Sequence, residues 1–501
     1  MRLQTSFSSR SNLLPLLLLL LQQTGTSAAI ELDIDSYSSI KAAAAQVAGD
    51  LANEFWDPTS FSGVPNAQYA WWQHGAILGA YVDYWAMTGD TTYNANITIG
   101  WLNGVAPSLD LLPKEHAFDI GNDDQGFWSI MSMDAVERVF PETDEQKRRN
   151  AGFLEITQTV HNTQATRWDM STCGGGLRWQ IVTVKNGYKY KNTISNGLYF
   201  QQSARLAKYT GNESYAEAAE MSYKWMRDVN LIQDDFWIND GADIPDCKRI
   251  TPKRWSYNYG TILAGCAAMY NYTEGDRREY WKTQLDSVLN ATYATFIDQE
   301  TGALKEIQCQ DSDTCDMDQR SFKAYLARWM GYTAQVAPYT YDSIMPHLRK
   351  NAALAAATCT GDPRGTACGQ KWNIGPQWDG KHGLGEQINA MEVIQNIAPS
   401  VAPVGYIFNN RNGGTSKSNP GGMGKKTSGG KLDKAKKYEP YILPTYEIKP
   451  ADRFGAAIVT ILAVVWLGGT VFYVASDFWE TPSKLPEGEE AAGGTTGERL
   501  E

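Results

Sequence analysis

Between residues 36 and 398, apolar positions recur at helical spacing in about twelve segments, and few runs alternate as strands do. A local signature punctuates them. Thr88-Gly89-Asp90 is followed by Tyr93, Thr210-Gly211-Asn212 by Tyr215, and Thr273-Glu274-Gly275-Asp276 by Tyr280. Each copy follows an aromatic-rich apolar run and precedes a more polar one, so Gly reads as a helix stop and Asp or Asn as the next cap. The intervals of 122 and 63 residues correspond to two units and one. Similar punctuation at Pro141-Glu142-Thr143-Asp144 and Pro338-Tyr339-Thr340 fills the missing registers. Helical units repeating at about 60 residues stack into a ring or a solenoid. The count predicts an all-α fold, a closed (α/α)6 barrel of six helical hairpins, with an open superhelix as the alternative. The inner helices of such a ring are expected to be rich in glycine and aromatics, as Trp71-Trp72-Gln73-His74-Gly75-Ala76 and Ser195-Asn196-Gly197-Leu198-Tyr199-Phe200 are. Loops leading into those helices would surround a shared cleft.

The two ends of the chain break this pattern. Residues 1–29 read as a secretory signal: Arg2 and Arg10 precede an apolar run that ends at Leu21, and Ser27-Ala28-Ala29 offers small residues for cleavage. The barrel domain is expected over 30–408. A linker rich in Gly, Ser, Asn and Lys begins at 409 and extends to 453. Its Gly421 to Thr427 stretch only imitates a phosphate loop, because Asn419 stands where the first glycine is needed. Phe454 to Ser476 carries no charge over 23 residues, about 34 Å as a helix, and is expected to be one C-terminal transmembrane helix. Residues 477–501 then form a cytosolic tail. A glycolipid-anchor signal ends at its hydrophobic tail, so the polar residues after 476 favour a retained span. Lysines on the lumenal side run against the usual charge bias, but a long folded domain translocates largely regardless of charge.

A secretory chain should carry disulfides and glycans. Asn96, Asn212, Asn271 and Asn290 head glycosylation sequons. Of seven cysteines, Cys309 with Cys315 and Cys359 with Cys368 would close short polar loops, and Cys266 lies in an apolar segment as a free thiol. Cys173 and Cys247 remain as a long-range pair. At 501 residues and 43% apolar, the chain can bury a large core, and a net charge of -11 argues against a nucleic-acid partner. Five histidines show no metal-ligand spacing and no G-x-S-x-G elbow occurs, so neither metal nor cofactor is expected.

Candidate chemistry concentrates in Gly121-Asn122-Asp123-Asp124-Gln125-Gly126-Phe127-Trp128. Glycoside hydrolysis uses two carboxyl groups, about 5–5.5 Å apart for retention and about 6.5–9.5 Å for inversion. Adjacent residues suit the shorter spacing, but both can face one ligand only at a helix start or in a loop. The glycines and Asn122 predict such a start. Free N–H groups there favour one ionised carboxylate, while a neighbouring charge and apolar rings hold the other protonated. An acidic helix cap is the plain alternative. A calcium loop fails, since the twelfth position from Asp119 is Ile130. Asp234-Asp235-Phe236-Trp237 repeats the acidic-aromatic order without the glycines and reads as a loop, with Asp240 as an edge contact.

Five stretches now carry a resemblance. They are Trp71-Trp72, Gly121 to Trp128, Thr172-Cys173-Gly174-Gly175-Gly176-Leu177-Arg178-Trp179-Gln180, Tyr190-Lys191-Asn192-Thr193-Ile194-Ser195-Asn196-Gly197 and Trp255-Ser256-Tyr257-Asn258-Tyr259-Gly260. Together they resemble glycoside hydrolase family 76 in its fungal cell-wall branch, over roughly residues 30 to 400. The resemblance implies an (α/α)6 barrel, retaining endo-α-1,6-mannanase chemistry, and a role in attaching glycoproteins to the wall. It places the nucleophile on Asp123 and the general acid/base on Asp124. It also implies substrate contacts at Trp72, Asn122, Trp128, Trp179, Lys191, Asn192, Asn196, Tyr257 and Asn258, to which the loop reading adds Asp240. The expected partners are α-1,6-linked mannose glycans, with β-glucan as a candidate acceptor, and a membrane held through the one span. Location is expected in the secretory pathway, at the plasma membrane or endomembranes, with the catalytic domain lumenal or extracellular. A non-catalytic glycan-binding or structural wall protein is the competing class, and the carboxylate pair in its glycine frame argues against it.

Overall fold

Capping chemistry sets where the helices begin and end. The computed structural model describes residues 30–56, 69–362 and 364–412. In it α1 spans Tyr37–Phe55, α2 Trp71–Thr88, α3 Asn94–Gly104, α4 Asn122–Glu137, α5 Asp144–Arg149, α6 Phe153–Thr166 and α7 Thr193–Thr210. Then follow α8 Glu213–Asp228, α9 Ser256–Tyr272, α10 Gly275–Phe296, α11 Phe322–Val336, α12 Tyr341–Thr358 and α13 Leu384–Gln395. Gly89 and Gly211 close α2 and α7 at φ 73° and 72°, a left-handed turn that glycine makes without a Cβ clash. Asn212 caps α8 by accepting from the Ser214 N–H. The other two copies of the signature depart in detail. Asp90 organises a turn by accepting from Tyr84 and Thr92, and Thr273 rather than Gly275 ends α9.

Inside the fold, α2, α4, α7, α9, α11 and α13 each pack on the next, and α13 returns to α2. The ring is closed, which excludes the open superhelix. Outside it, α3, α6, α8, α10 and α12 lie against α2, α4, α7, α9 and α11, and α1 lies against α13. The inner helices are apolar or sheltered on nearly every face, α7 being buried from Thr193 to Tyr209. The outer helix α8 buries only one stripe.

A small antiparallel sheet sits beside the ring. It comprises β1 (Tyr190–Asn192), β2 (Gly241–Asp243) and β3 (Ile250–Thr251), in the order β1-β2-β3, with Tyr190 opposite Asp243 and Lys191 opposite Ala242. Strands of two or three residues are too short to announce themselves by alternation. The disulfides are Cys173–Cys247, Cys309–Cys315 and Cys359–Cys368, with Cys266 free and buried, as expected. Such bonds persist in oxidising compartments and suggest a secretory-pathway protein. Among the sequons, Asn96 and Asn290 are exposed on helices, whereas the Asn271 amide donates to Val336 O at 2.9 Å.

The centre of the ring is charged, not oily. Arg205 pairs with Asp134 and Glu137, each at 2.6 Å, and Lys208 reaches Glu137 at 3.0 Å. Arg138 meets Asp83 at 2.5 Å, and Arg328 meets Glu392 at 2.5 Å. Burial alone would push the Glu137 carboxyl up, but Arg205 and Lys208 outweigh it and hold it below its ordinary value. Residues 405–410 cross this end of the ring. Their Gly405, Phe408 and Asn410 N–H groups donate to Ala86, Glu137 and Lys208 carbonyls at the ends of α2, α4 and α7.

The 1–29 leader, the linker beyond 412, the 454–476 span and the 477–501 tail lie outside the described residues. Among the described residues, no helix is long and apolar enough to cross a membrane.

Removing one member of a buried ion network strands its partners. Arg205→Met should therefore destabilise the barrel by about 3–5 kcal/mol. Urea unfolding followed by tryptophan fluorescence reads this; an unchanged midpoint would show that the network is dispensable.

Candidate active site

The chain reverses between outer and inner helices, so the N-termini of the inner helices gather at one end. A cleft of about 690 Å³ opens there. Its walls hold Trp72 of α2, Asp123, Asp124 and Phe127 of α4, Asn192 at the cap of α7, Trp255 and Tyr257 at the start of α9, and Phe322 of α11.

Gly121 is the N-cap of α4, and its N–H donates to Asp124 Oδ2 at 2.6 Å. Asp123 Oδ1 accepts from the Asp124 N–H at 3.0 Å, and Asp123 Oδ2 from the Asn192 amide at 3.0 Å. A Cβ on Gly121 would lie 2.5 Å from Asp123 Oδ1, 2.9 Å from Trp179 O and 3.3 Å from Asp124 Oδ2. Distances of 2.5 and 3.3 Å to one point keep Asp123 Oδ1 and Asp124 Oδ2 less than about 6 Å apart, short of the about 6.5–9.5 Å of an inverting glycosidase. The missing side chain at 121 is what makes room for both.

Burial raises both carboxyls, Asp123 well above its ordinary value with the charge of Asp124 adding to the effect. Asp124 rises to about 7, through burial first; the Gly121 N–H opposes this, while Asp318 and Asp119 add to it. The two titrate as a unit that holds a proton across the neutral range. Hydrogen-bond donors then decide where the charge sits. They work against the order set by burial, which raises Asp123 the more: Asp123 accepts two hydrogen bonds and Asp124 one, and the donors favour charge on Asp123.

Of the other expected contacts, Trp72, Trp179, Asn192, Asp240 and Tyr257 line the cleft. Tyr257 lies flat on Phe322 with ring centres 3.9 Å apart, and Asp240 accepts from the Tyr190 hydroxyl at 2.6 Å. The other five, Asn122, Trp128, Lys191, Asn196 and Asn258, are not among the residues lining the cleft. Lys191 alternates with its strand neighbours Tyr190 and Asn192 and so points the other way. Its ammonium is fully buried, donating to the Asp169, Thr172 and Gly175 carbonyls and pairing with the Asp169 carboxylate at 3.2 Å. Asn196 grips both the N–H and the carbonyl of Leu177, pinning the glycine-rich loop to α7. Asn122 accepts from Arg167 and donates to Arg178 O behind the wall. Trp128 is a core wedge: it stacks on Trp71 at 4.8 Å and donates to Trp71 O. Glycines at 75 and 104 leave it room, since a Cβ at either would come within 2.5 Å or less of its ring. Asn258 is fully buried and is not among the residues lining the cleft.

Asp316, Asp318, Gln180, Lys253, Trp255 and Phe322 also line the cleft and were missed. Asp318 accepts a hydrogen bond from Trp72, and its carboxyl is pushed up to about 6 by burial and by Asp316. Its position in a loop leading into an inner helix, just past the Cys309–Cys315 bridge, was the available signal. Trp255 and Gln180 stood within the quoted motifs.

Residues 39–403 match the family model described as Glycosyl hydrolase family 76. Over 438 residues the chain is 39% identical to the mannan endo-1,6-alpha-mannosidase DCW1 of Saccharomyces cerevisiae, covering 86% of this chain and 92% of that protein. It superposes on the crystal structure of Dfg5 from Chaetomium thermophilum in complex with glucosamine with a TM-score of 0.71 and 35% identity, covering 79% and 98% of the two chains. An α-1,6-mannanase from Salegentibacter shares the fold at 18% identity and a TM-score of 0.57, covering 73% and 99%.

The raised carboxyls give a signed pH effect on stability. Between the ordinary carboxylate range and about 7, the folded chain holds protons that the unfolded chain has released, so stability falls as pH rises through that window. Asp124→Asn cannot ionise and should gain up to about 4 kcal/mol on the unmutated protein between about pH 4 and about pH 7, three pKa units at about 1.4 each. Denaturant titrations at both ends of the window measure it. A constant or reversed difference would overturn the electrostatic account of the pair.

Proposed function

The chain belongs to glycosyl hydrolase family 76 and is a glycoside hydrolase; from that premise we propose that it is a retaining endo-α-1,6-mannosidase or transglycosidase acting in fungal cell-wall biogenesis. Its substrates are α-1,6-linked mannose chains, in mannan or in mannose-containing glycoprotein anchors, with β-glucan as a candidate acceptor. The observation that carries the reading is the pair of carboxyls packed against Gly121 at the head of a sugar-sized cleft. The curated relative at 39% identity bears the name of the same activity, which supports the linkage.

In this reading ionised Asp123, held by the Asn192 amide and the Asp124 N–H, attacks the anomeric carbon from the face opposite the leaving sugar. Asp124 gives its proton to the departing glycosidic oxygen. The resulting β-linked mannosyl ester is then attacked by water or by a sugar hydroxyl, from which Asp124 takes a proton back. Hydrolysis and transfer share every step but the identity of the acceptor. Trp72, Trp179, Asn192, Asp240 and Tyr257 hold the sugars, and Lys191, Asn196, Asn122 and Trp128 hold the wall.

Asp123→Asn should abolish turnover of α-1,6-manno-oligosaccharides with the fold intact. Asp124→Asn should slow departure of poor leaving groups most, by about 10²–10⁴-fold. On a mannoside whose good leaving group departs without acid, azide, which needs no general base, should restore Asp124→Asn turnover and yield the α-mannosyl azide. The anomer is read by NMR; a β product from that variant, or full activity in Asp123→Asn, would sink the assignment.

Residues 1–29 lead the chain into the secretory pathway and 454–476 anchor it, with the catalytic domain lumenal or extracellular. Protease added to sealed microsomes should trim only a short tail. Release by a phosphatidylinositol-specific phospholipase would instead establish a lipid anchor.

A further inference from the structure

Tryptophan is costly to leave in water, and of the described tryptophans only Trp179 and Trp237 are exposed, at 37% and 45%. Trp179 lines the cleft. Trp237 does not, although it stands close by. It lies three residues before cleft-lining Asp240, which limits the separation along the chain to about 11 Å. Its ring is covered on one side by the Arg254 guanidinium, 4.0 Å from the ring centre. Arg254 falls between Lys253 and Trp255, both of which face the cleft. Arg254 itself does not line the cleft, so the Trp237 ring it covers stands beside the same wall, outside the cleft.

The ring is presented by a built support. Ile232 bridges Ile238 across a tight hairpin. Gln233 N–H donates to Trp237 O at 2.9 Å, and Asp235 Oδ1 accepts from the Trp237 N–H at 3.0 Å. Phe236 takes φ 63°, a left-handed conformation rare for a bulky side chain, and Arg227 braces its ring at 4.8 Å while holding Asp234 at 3.1 Å. Ile238 N–H is fixed by the Tyr259 hydroxyl at 3.0 Å. A strained, braced hairpin that keeps an indole in water is not explained by packing the hairpin itself.

We propose that Trp237 is a sugar-stacking platform beyond the cleft, taking a further pyranose of a glycan whose reacting linkage lies at the Asp123–Asp124 pair. Arg254 fixes the ring plane and leaves its outer face to the apolar C–H face of a sugar, and exposed Asp235 lies beside it to accept a hydroxyl. The inference rests on the carbohydrate reading of the cleft. The platform serves long chains and is out of reach of short ones filling only the cleft. Two glycans have the needed chemistry, α-1,6-mannan and β-glucan, and the test separates them.

Binding is measured by calorimetry with the full chain carrying Asp123→Asn, which cannot turn over, using short and long α-1,6-manno-oligosaccharides and a matching β-gluco-oligosaccharide series. Adding Trp237→Ala should weaken the long oligosaccharides of one series by about three- to tenfold, the range of a single aromatic contact. Short ones should keep their affinity and the melting temperature should not move. Trp237→Phe should recover part of the loss. Which series responds identifies the glycan on the platform. Equal loss for short and long chains, no loss for either, or no binding by either series overturns the platform. Turnover of the short α-1,6-manno-oligosaccharides by the unmutated protein separately tests the function itself, so the two ideas can fail independently.

Discussion

All six inner helices run the same way, and that shared direction organises both ends of the barrel. Helix dipoles laid parallel in a ring add instead of cancelling, leaving partial positive charge at the gathered N-termini and negative charge at the C-termini. The N-terminal end is where the carboxylate pair sits, at the second and third positions of α4. The C-terminal end meets Arg138 at the cap of α4 and Arg205 and Lys208 in the last turns of α7. The acids paired with these cations, Asp83, Asp134 and Glu137, keep the network near neutrality. A ring of helices with an apolar lumen would need large side chains from every helix to meet at the axis. The buried ion network fills it with long polar chains that also satisfy one another.

Close approach is the second constraint, and it acts through absent side chains. Gly75 and Gly104 admit the Trp128 indole, which fixes α4 against α2. With α4 seated, the bare Cα of Gly121 leaves to both carboxylates and the Trp179 carbonyl the space a Cβ would take, and its neighbour Asn122 is tied to that carbonyl through its own N–H at 2.9 Å. The residue at the mouth of the helix is thus set by packing one turn and more below it. The glycine-rich loop is held by similar means, Asn196 gripping Leu177 while Lys191 fastens the turn before it.

Much of this was legible because it depends on local chemistry. Gly89, Gly211 and Asn212 stop and start helices by backbone rules that read directly from residue type. The pairing of Cys309 with Cys315 follows from proximity in sequence, and Cys173–Cys247 from what was left. The location of Asp123 and Asp124 at a helix start needed only their flanking glycines. Residue type did not say which way a side chain points. Lys191 and Asn192 are adjacent and equally polar, yet a three-residue strand sends one to the cleft and the other into the wall. Trp128 and Trp72 are both aromatic neighbours of the pair, and only the glycines opposite them separate wedge from lining. Asp316 and Asp318 sit on an irregular loop whose path depends on a disulfide and on the inner helix it enters.

The cleft's charge connects these pieces to the chemistry proposed for it. Six carboxyl groups, Asp123, Asp124, Asp240, Asp243, Asp316 and Asp318, face two lysines, Lys189 and Lys253. Such a field resists placing a second negative charge on the pair, which is how Asp318 helps raise Asp124 and why one proton stays between two adjacent acids. The same field favours positive charge on a bound sugar, and the transition state of glycoside cleavage is oxocarbenium-like. A cleft that merely gripped a neutral glycan would gain nothing from this arrangement, since hydroxyls are held as well by amides. A cleft that must keep an acid protonated and then shelter a developing cation gains twice from the same carboxylates.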